Sequence, residues 1–158
     1  MNNHPETSSP VPGIDVKILK LHPNADCPSY ATEASAGADL HLLSEEPVTI
    51  LPGATVLLHT GIAMEIPAGY AGFVFARSGL ASKKGLAPAN KVGVVDPDYR
   101  GEILVAMHNH GGIPQTLLPG ERIAQIVFLP YAAARFTEAE RLEESERGTG
   151  GFGSTGSK

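Results

Sequence analysis

The sequence holds a single cysteine, Cys27, which excludes an internal disulfide and any multi-cysteine metal site and fits a reducing compartment. It also lacks any run approaching ~18 consecutive apolar residues, so no membrane-spanning helix is expected. Cationic side chains are in deficit: 12 Lys and Arg stand against 17 Asp and Glu, for a formal net charge of −5. A duplex nucleic-acid binder needs a cationic face toward the phosphate backbone, so this balance argues against such a partner. It leaves room for a small anionic ligand, which needs only a local pocket of arginines and amides. The opening MNNHPETSSPVPG has neither the basic nor the apolar region of a secretory signal. It reads as a flexible N-terminus over 1–13 of a cytoplasmic protein.

What the chain does have is turns. Its 158 residues include 18 glycines and 13 prolines, about a fifth of the total against a usual ~12%, while the apolar share of 42% is ordinary for a globular domain. Short Val- and Ile-rich segments recur between these turn formers: DVKILKL, PVTIL, ATVLLHTGIAMEI, GFVFA, VGVVD, EILVAM, QTLLP and RIAQIVFL. Strands at roughly 8–12-residue spacing predict an all-β sandwich or barrel in one domain. A single short helix is expected in RSGLASKKGL, with Ser78 as N-cap and Gly85 past its end. Beyond Phe136, TEAERLEESER is charged on all sides and cannot bury a face. The β-domain is therefore expected over 14–136 and an arm over 137–158.

Several residues admit chemistry beside a plainer role. Arg77, Ser78 and Gly79 open the expected helix, where free N–H groups and a forked cation suit phosphate oxygens; Ser78 as a mere cap is the plain alternative. NKVGVVDPDYRGE reads as a β-hairpin whose backbone can recognise the edge of a planar ring. Asp96, after the apolar VGVV, is either a turn opener or a carboxylate at a dry edge, where lost hydration raises its basicity. Gln125 interrupts the buried run IA-IVF and needs partners, either in the core or in a pocket. Asp39, among small residues at a strand start, is a turn residue or a carboxylate facing hydrated metal. His108 and His110 share one strand face but have no evident third ligand, and read as solvated.

The glycine-rich end RGTGGFGSTG is not a Walker A loop, since the lysine after the second fixed glycine is missing and no strand leads in. A glycine chain can still wrap phosphates through its amides, and Phe152 in its midst suits stacking on a flat ring.

Together the blocks SAGADL, ARSGL, NKVGVVDPDYRGE, PGERIAQ and RGTGGFGSTG resemble those of the trimeric dUTPases (deoxyuridine triphosphate nucleotidohydrolases), bacterial members most of all. The likeness runs from about Asp15 to Gly156. It implies a jelly-roll-like β-clip fold, a homotrimer with shared active sites, and Mg²⁺-dependent hydrolysis of dUTP to dUMP and pyrophosphate. By that likeness Asp96 is the catalytic carboxylate that activates water. Tyr99 lies under the deoxyribose; Asn90, Gly93, Val94 and Val95 read uracil, and Leu104 is a further nucleoside contact. Arg77, Ser78, Gly79 and Gln125 hold phosphates, and Asp39 meets metal-bound water while the triphosphate itself holds most of the Mg²⁺. From the flexible arm, Arg147 reaches the γ-phosphate, Phe152 covers uracil, and Gly153, Ser154 and Thr155 close over the phosphates. Two departures are Ala76, where proline is common in the family, and Lys91, where a small or apolar residue is common. The related dCTP deaminases, some bifunctional as diphosphatases, are the alternative. They carry Asp-Pro-Gly-Trp where this chain has DPDYRGE and lack the glycine tail, so both differences favour dUTPase over deaminase.

Overall fold

The computed structural model describes residues 13–151. Among them eleven strands form: β1 Lys17–Lys20, β2 Ser29–Tyr30, β3 Ala38–His41, β4 Val48–Ile50, β5 Thr55–Glu65, β6 Tyr70–Phe75, β7 Leu86–Pro88, β8 Gly93–Val95, β9 Glu102–Asn109, β10 Gln115–Leu117 and β11 Arg122–Pro130. They pair antiparallel into a four-stranded sheet ordered β1-β5-β9-β7, a five-stranded sheet ordered β2-β3-β11-β6-β8, and a small β10-β4 pair. The all-β expectation holds, and each of the eight segments predicted as strands carries one. β3 matches the strand start expected at Asp39, and β2 and β7, two and three residues long, were not foreseen.

Alternation explains the layering. In β9, Ile103, Val105, Met107 and Asn109 are buried while Leu104 faces out, the period of two expected of a half-buried strand. β5 alternates up to Thr60 and is buried from there to Met64. The change comes at Gly61, where the β5–β9 register shifts between His59 and Ala63. Gly61 takes φ +69, and a Cβ there would lie 2.5 Å from Leu43 Cδ2, so no other residue fits without displacing the core. Leu40, Leu58, Ile62, Met107, Ile123 and Ile126, drawn from both large sheets, share one core.

Asn109 ends β9 on its buried phase with no exposed surface. Its Nδ2 donates to the carbonyls of Ile50 (2.9 Å) and Ile113 (2.8 Å), and its Oδ1 accepts from the Gly111 amide (2.8 Å). This one amide therefore joins the four-stranded sheet to the β10-β4 pair.

Two expectations need correction. The helix is a single π-helical turn, Leu80–Lys84, with no side-chain cap. Ser78 instead offers its carbonyl to Ser82 Oγ (2.6 Å), while Gly85 at φ +66 closes the turn as foreseen. Nor is Asn90–Glu102 a hairpin: β8 pairs with β6 and β9 with β5 and β7, in different sheets. The segment is a crossing between sheets, because Asp96–Gly101 carries the chain out of one layer and into the other.

Asn109→Ala should lower stability in urea unfolding by about 2 kcal/mol or more, since it strands two carbonyls and an amide in the interior. A loss below about 0.5 kcal/mol would remove Asn109 as the joint between the sheets.

Candidate active site

Two clefts collect the candidate residues. The first, of about 650 Å³, is lined by Gly37, Asp39, Arg77, Ser78, Gly79 and Gln125, among others. β11 organises it: Gln125 stands opposite Asp39 on β3 and Phe75 on β6, so one central strand brings three sequence blocks together. Gln125 Nε2 donates to the Ala76 carbonyl at 2.9 Å, fixing the chain just ahead of Arg77. The side chain lies so close over Gly37 that a Cβ there would come within 2.5 Å of its Oε1. Gln125 is thus half-buried at the pocket and not sealed in the core.

Asp39 keeps only 10% of its side chain exposed. A charge so placed must be paired. Arg77 Nε donates to its Oδ1 at 2.7 Å and Arg122 Nη1 to its Oδ2 at 3.1 Å. Since Arg77 uses Nε, its terminal amino groups are left for a ligand. Ser78 and Gly79 are exposed beside it at the start of the helical turn, where first-turn amides have no partner within the helix. The cleft has the makings of an anion site: a forked cation, backbone amides and a side-chain amide.

The second cleft, about 330 Å³, lies where β8 and β9 diverge and is lined by Asn90, Gly93, Val94, Val95, Asp96, Tyr99 and Leu104 together with Glu102. β8 is the edge strand of its sheet, so one side of its backbone pairs with β6 and the other is open. Asn90 Nδ2 rests against Gly93, 3.3 Å from where a Cβ would stand. The Tyr99 hydroxyl donates to the Glu102 carbonyl at 3.0 Å, and its ring lies across Gly101, where any Cβ would overlap it. Asp96 accepts the Tyr99 amide at its carbonyl (3.1 Å), which closes the turn. Asp96 is exposed, so the dry edge expected from the sequence is not present in this chain. The two clefts share no lining residue.

This chain matches the family model described as dUTPase over residues 23–156. The chain belongs to the dUTPase family. It is 57% identical over 146 residues to the deoxyuridine 5'-triphosphate nucleotidohydrolase of Desulfitobacterium hafniense, covering 90% of this chain and 97% of the relative. It is 44% identical to that of Paraburkholderia xenovorans, with the same coverage. Among solved structures it is similar to the Staphylococcus bacteriophage 80alpha dUTPase, in a mutant solved with dUpNHpp: TM-score 0.82, 27% identity, 90% of this chain and 98% of that one.

The dUTPase match extends into the arm. Past Pro130 the described residues form no strand or helix and are almost wholly exposed, Phe136 at 94% and Leu142 at 87%. Arg147 lines neither cleft; its Nε donates to the Gly150 carbonyl at 2.8 Å. Phe152, Gly153, Ser154 and Thr155 lie outside the described residues, as do residues 1–12. His108 Nδ1 bonds Thr55 Oγ1 at 2.8 Å with its ring 4.3 Å from that of His110, and neither lines either cleft. Among the described residues no three His, Cys, Asp or Glu side chains converge as metal ligands. Lys91, at φ 65, is held in a left-handed turn. Sequence reasoning missed Arg122. Strand alternation puts it out of phase with Gln125, three positions on, and only the structure reveals otherwise.

Glu102 anchors the second cleft. Its Oε1 accepts the Gly61 amide (2.7 Å) and its Oε2 lies 3.0 Å from His59 Nδ1. Burial works to raise the Glu102 carboxyl, but the bonds from His59 and Gly61 outweigh it and hold it below its ordinary 4.5. A carboxylate with a depressed folded value stabilises the fold above its unfolded value and loses that contribution as pH falls through the folded one. Glu102→Gln should therefore unfold at lower urea than the parent at pH 7, with the gap closing as pH drops below the ordinary glutamate value of 4.5. A gap that stays constant with pH would contradict this assignment.

Proposed function

We propose that this chain hydrolyses dUTP at the α-phosphorus to dUMP and pyrophosphate, limiting uracil incorporation into DNA and supplying dUMP for thymidylate synthesis. The observation that carries the reading is the open edge of β8 beside Asp96 and Tyr99. A true hairpin would have spent those backbone groups on β9; an edge strand keeps them for a base. Uracil presents an N3–H donor next to a carbonyl acceptor, and cytosine presents the reverse. A backbone edge matched to one leaves unpaired polar groups against the other, worth on the order of 10⁴-fold in rejection. Asn90 steadies that edge, the Tyr99 ring packs against the deoxyribose, and Leu104 completes the apolar wall.

Asp96 takes a proton from water. The water oxygen bonds to the α-phosphorus, the bond from that phosphorus to the bridging oxygen breaks, and pyrophosphate leaves. Arg77, Ser78, Gly79 and Gln125 bind the phosphates and orient the α-phosphorus toward the water. By likeness to the trimeric dUTPases, we assign the complete site to a homotrimer in which one copy supplies the phosphate pocket and a second the nucleoside cleft, and two clefts that share no lining residue are compatible with that arrangement. Closure by neighbouring copies also supplies the dry surroundings that Asp96 lacks in one chain. The arm of a third copy, with Arg147, Phe152, Gly153, Ser154 and Thr155, closes over the ligand and excludes water.

The residues also fit Mg²⁺ bound through the triphosphate. Asp39 has both oxygens engaged by arginines, yet each has a lone pair left to accept from a metal-held water. That outer role matches the tendency of Mg²⁺ to keep several waters, and when bound the ion neutralises charge on the phosphate oxygens. The described residues contain no helix long and apolar enough to cross a membrane, and we assign the enzyme to the cytoplasm.

With Mg²⁺, dUTP and not dCTP should release pyrophosphate, and reaction in ¹⁸O-water should label dUMP only. Asp96→Asn should still bind dUTP while losing ~10²–10⁴-fold in turnover. Ammonia from dCTP would favour the deaminase reading, and unchanged turnover in Asp96→Asn would take that carboxylate out of the mechanism.

A further inference from the structure

Arg122 holds no part in the reading above, yet it reaches the most buried carboxylate of the phosphate pocket. In a regular strand, residues 122 and 125 point to opposite faces. Here the β11–β3 register shifts between Arg122 and Ala124, and consecutive residues Ile123 and Ala124 are both buried. This bulge reverses the phase. Arg122 comes to stand opposite His41, two residues from Asp39 on the same face, so it shares a face with Gln125. Its backbone is fixed as well. The neighbouring Glu121 binds Lys84 of the π-helical turn (2.9 Å) and the Leu118 amide (3.0 Å), which ties the start of β11 to the segment that follows Arg77.

A carboxylate has two oxygens, and a lone arginine tends to take both with a two-pronged fork. Arg77 does not do so: it holds Oδ1 through Nε while Arg122 occupies Oδ2. We propose that Arg122 is a positioning residue for the phosphate pocket, blocking the second oxygen of Asp39 so that the Arg77 amino groups stay turned toward the ligand. Arg122 itself does not line the pocket and has half its side chain in solvent, so it acts through Asp39. Without it, Arg77 can rotate onto both oxygens and withdraw its amino groups from the phosphates. The inference rests on the assignment of this cleft to phosphates.

Calorimetric titration of the full-length assembly with inorganic tripolyphosphate, and separately with deoxyuridine, Mg²⁺ present throughout, tests it. Arg122→Gln should weaken tripolyphosphate about ten-fold and leave deoxyuridine unchanged. Arg122→Lys should recover most of the loss, because one N–H contact suffices. In an Arg77→Gln background the Arg122→Gln effect should shrink below about two-fold, since the group being positioned is gone. A loss that persists in that background, or that falls equally on deoxyuridine, would overturn the positioning role and leave only a structural one. Variants that show the expected pattern beside a wild-type protein that cleaves no dUTP would leave this inference standing and defeat the proposed function. Wild-type protein that binds no tripolyphosphate would defeat the phosphate assignment and the inference with it.

Discussion

A carboxylate removed from water holds its charge only if cations come to it, and Asp39 is the place in this fold where that requirement is strictest. Meeting it joins three elements. Arg77 arrives from the end of β6, Arg122 from the start of β11, and Asp39 itself sits on β3. β11 lies between β3 and β6 in the sheet, so its pairing on both sides sets the distances among all three. Gln125 adds a neutral tie from the same strand to the Ala76 carbonyl. The cleft is therefore braced by side-chain bonds that exist without a ligand, with Asp39 and Gln125 on paired strands and Arg77, Ser78 and Gly79 on the segment that follows β6.

The second cleft follows a different rule. It depends on backbone left unpaired, at the edge of β8, and on a turn tight enough to set Tyr99 beside it. Gly101 makes room for the ring, and the Glu102 carbonyl receives its hydroxyl. Glu102 is in turn held by the Gly61 amide at the bulge of β5. An irregularity in one sheet thus fixes the mouth of a cleft between two.

Most of this was legible in the chain, for reasons that can be named. Val and Ile runs between Gly-Pro turns gave the strands, because burial on one face imposes a period of two. Arg77, Asp39, Gln125, Asp96 and Tyr99 were visible as polar residues in small or apolar settings, and the ordered blocks made their grouping plain. Strand pairing was not legible: alternation tells which face of VGVV is buried but not which strand lies beside it, so a sheet-to-sheet crossing passed for a hairpin. Ser78 has the chemistry of a cap, but a π-helical turn closed by Gly85 leaves it without that task. Arg122 escaped notice because one extra residue in a strand reverses every parity argument upstream of it. No local sequence signal marked that bulge.

On one chain the two clefts share no lining residue. In the proposed function they are two halves of one site that meet between copies. Inactive Arg77→Gln and Asp96→Asn proteins, unfolded together, refolded as a 1:1 mixture and assayed for pyrophosphate release from dUTP, test this directly. If copies share each site, mixed assemblies contain sites with both residues intact, and about a quarter of wild-type activity should return by random assortment of independent chains. If no activity returns although mixed assemblies form, each chain carries its whole site and the account is wrong.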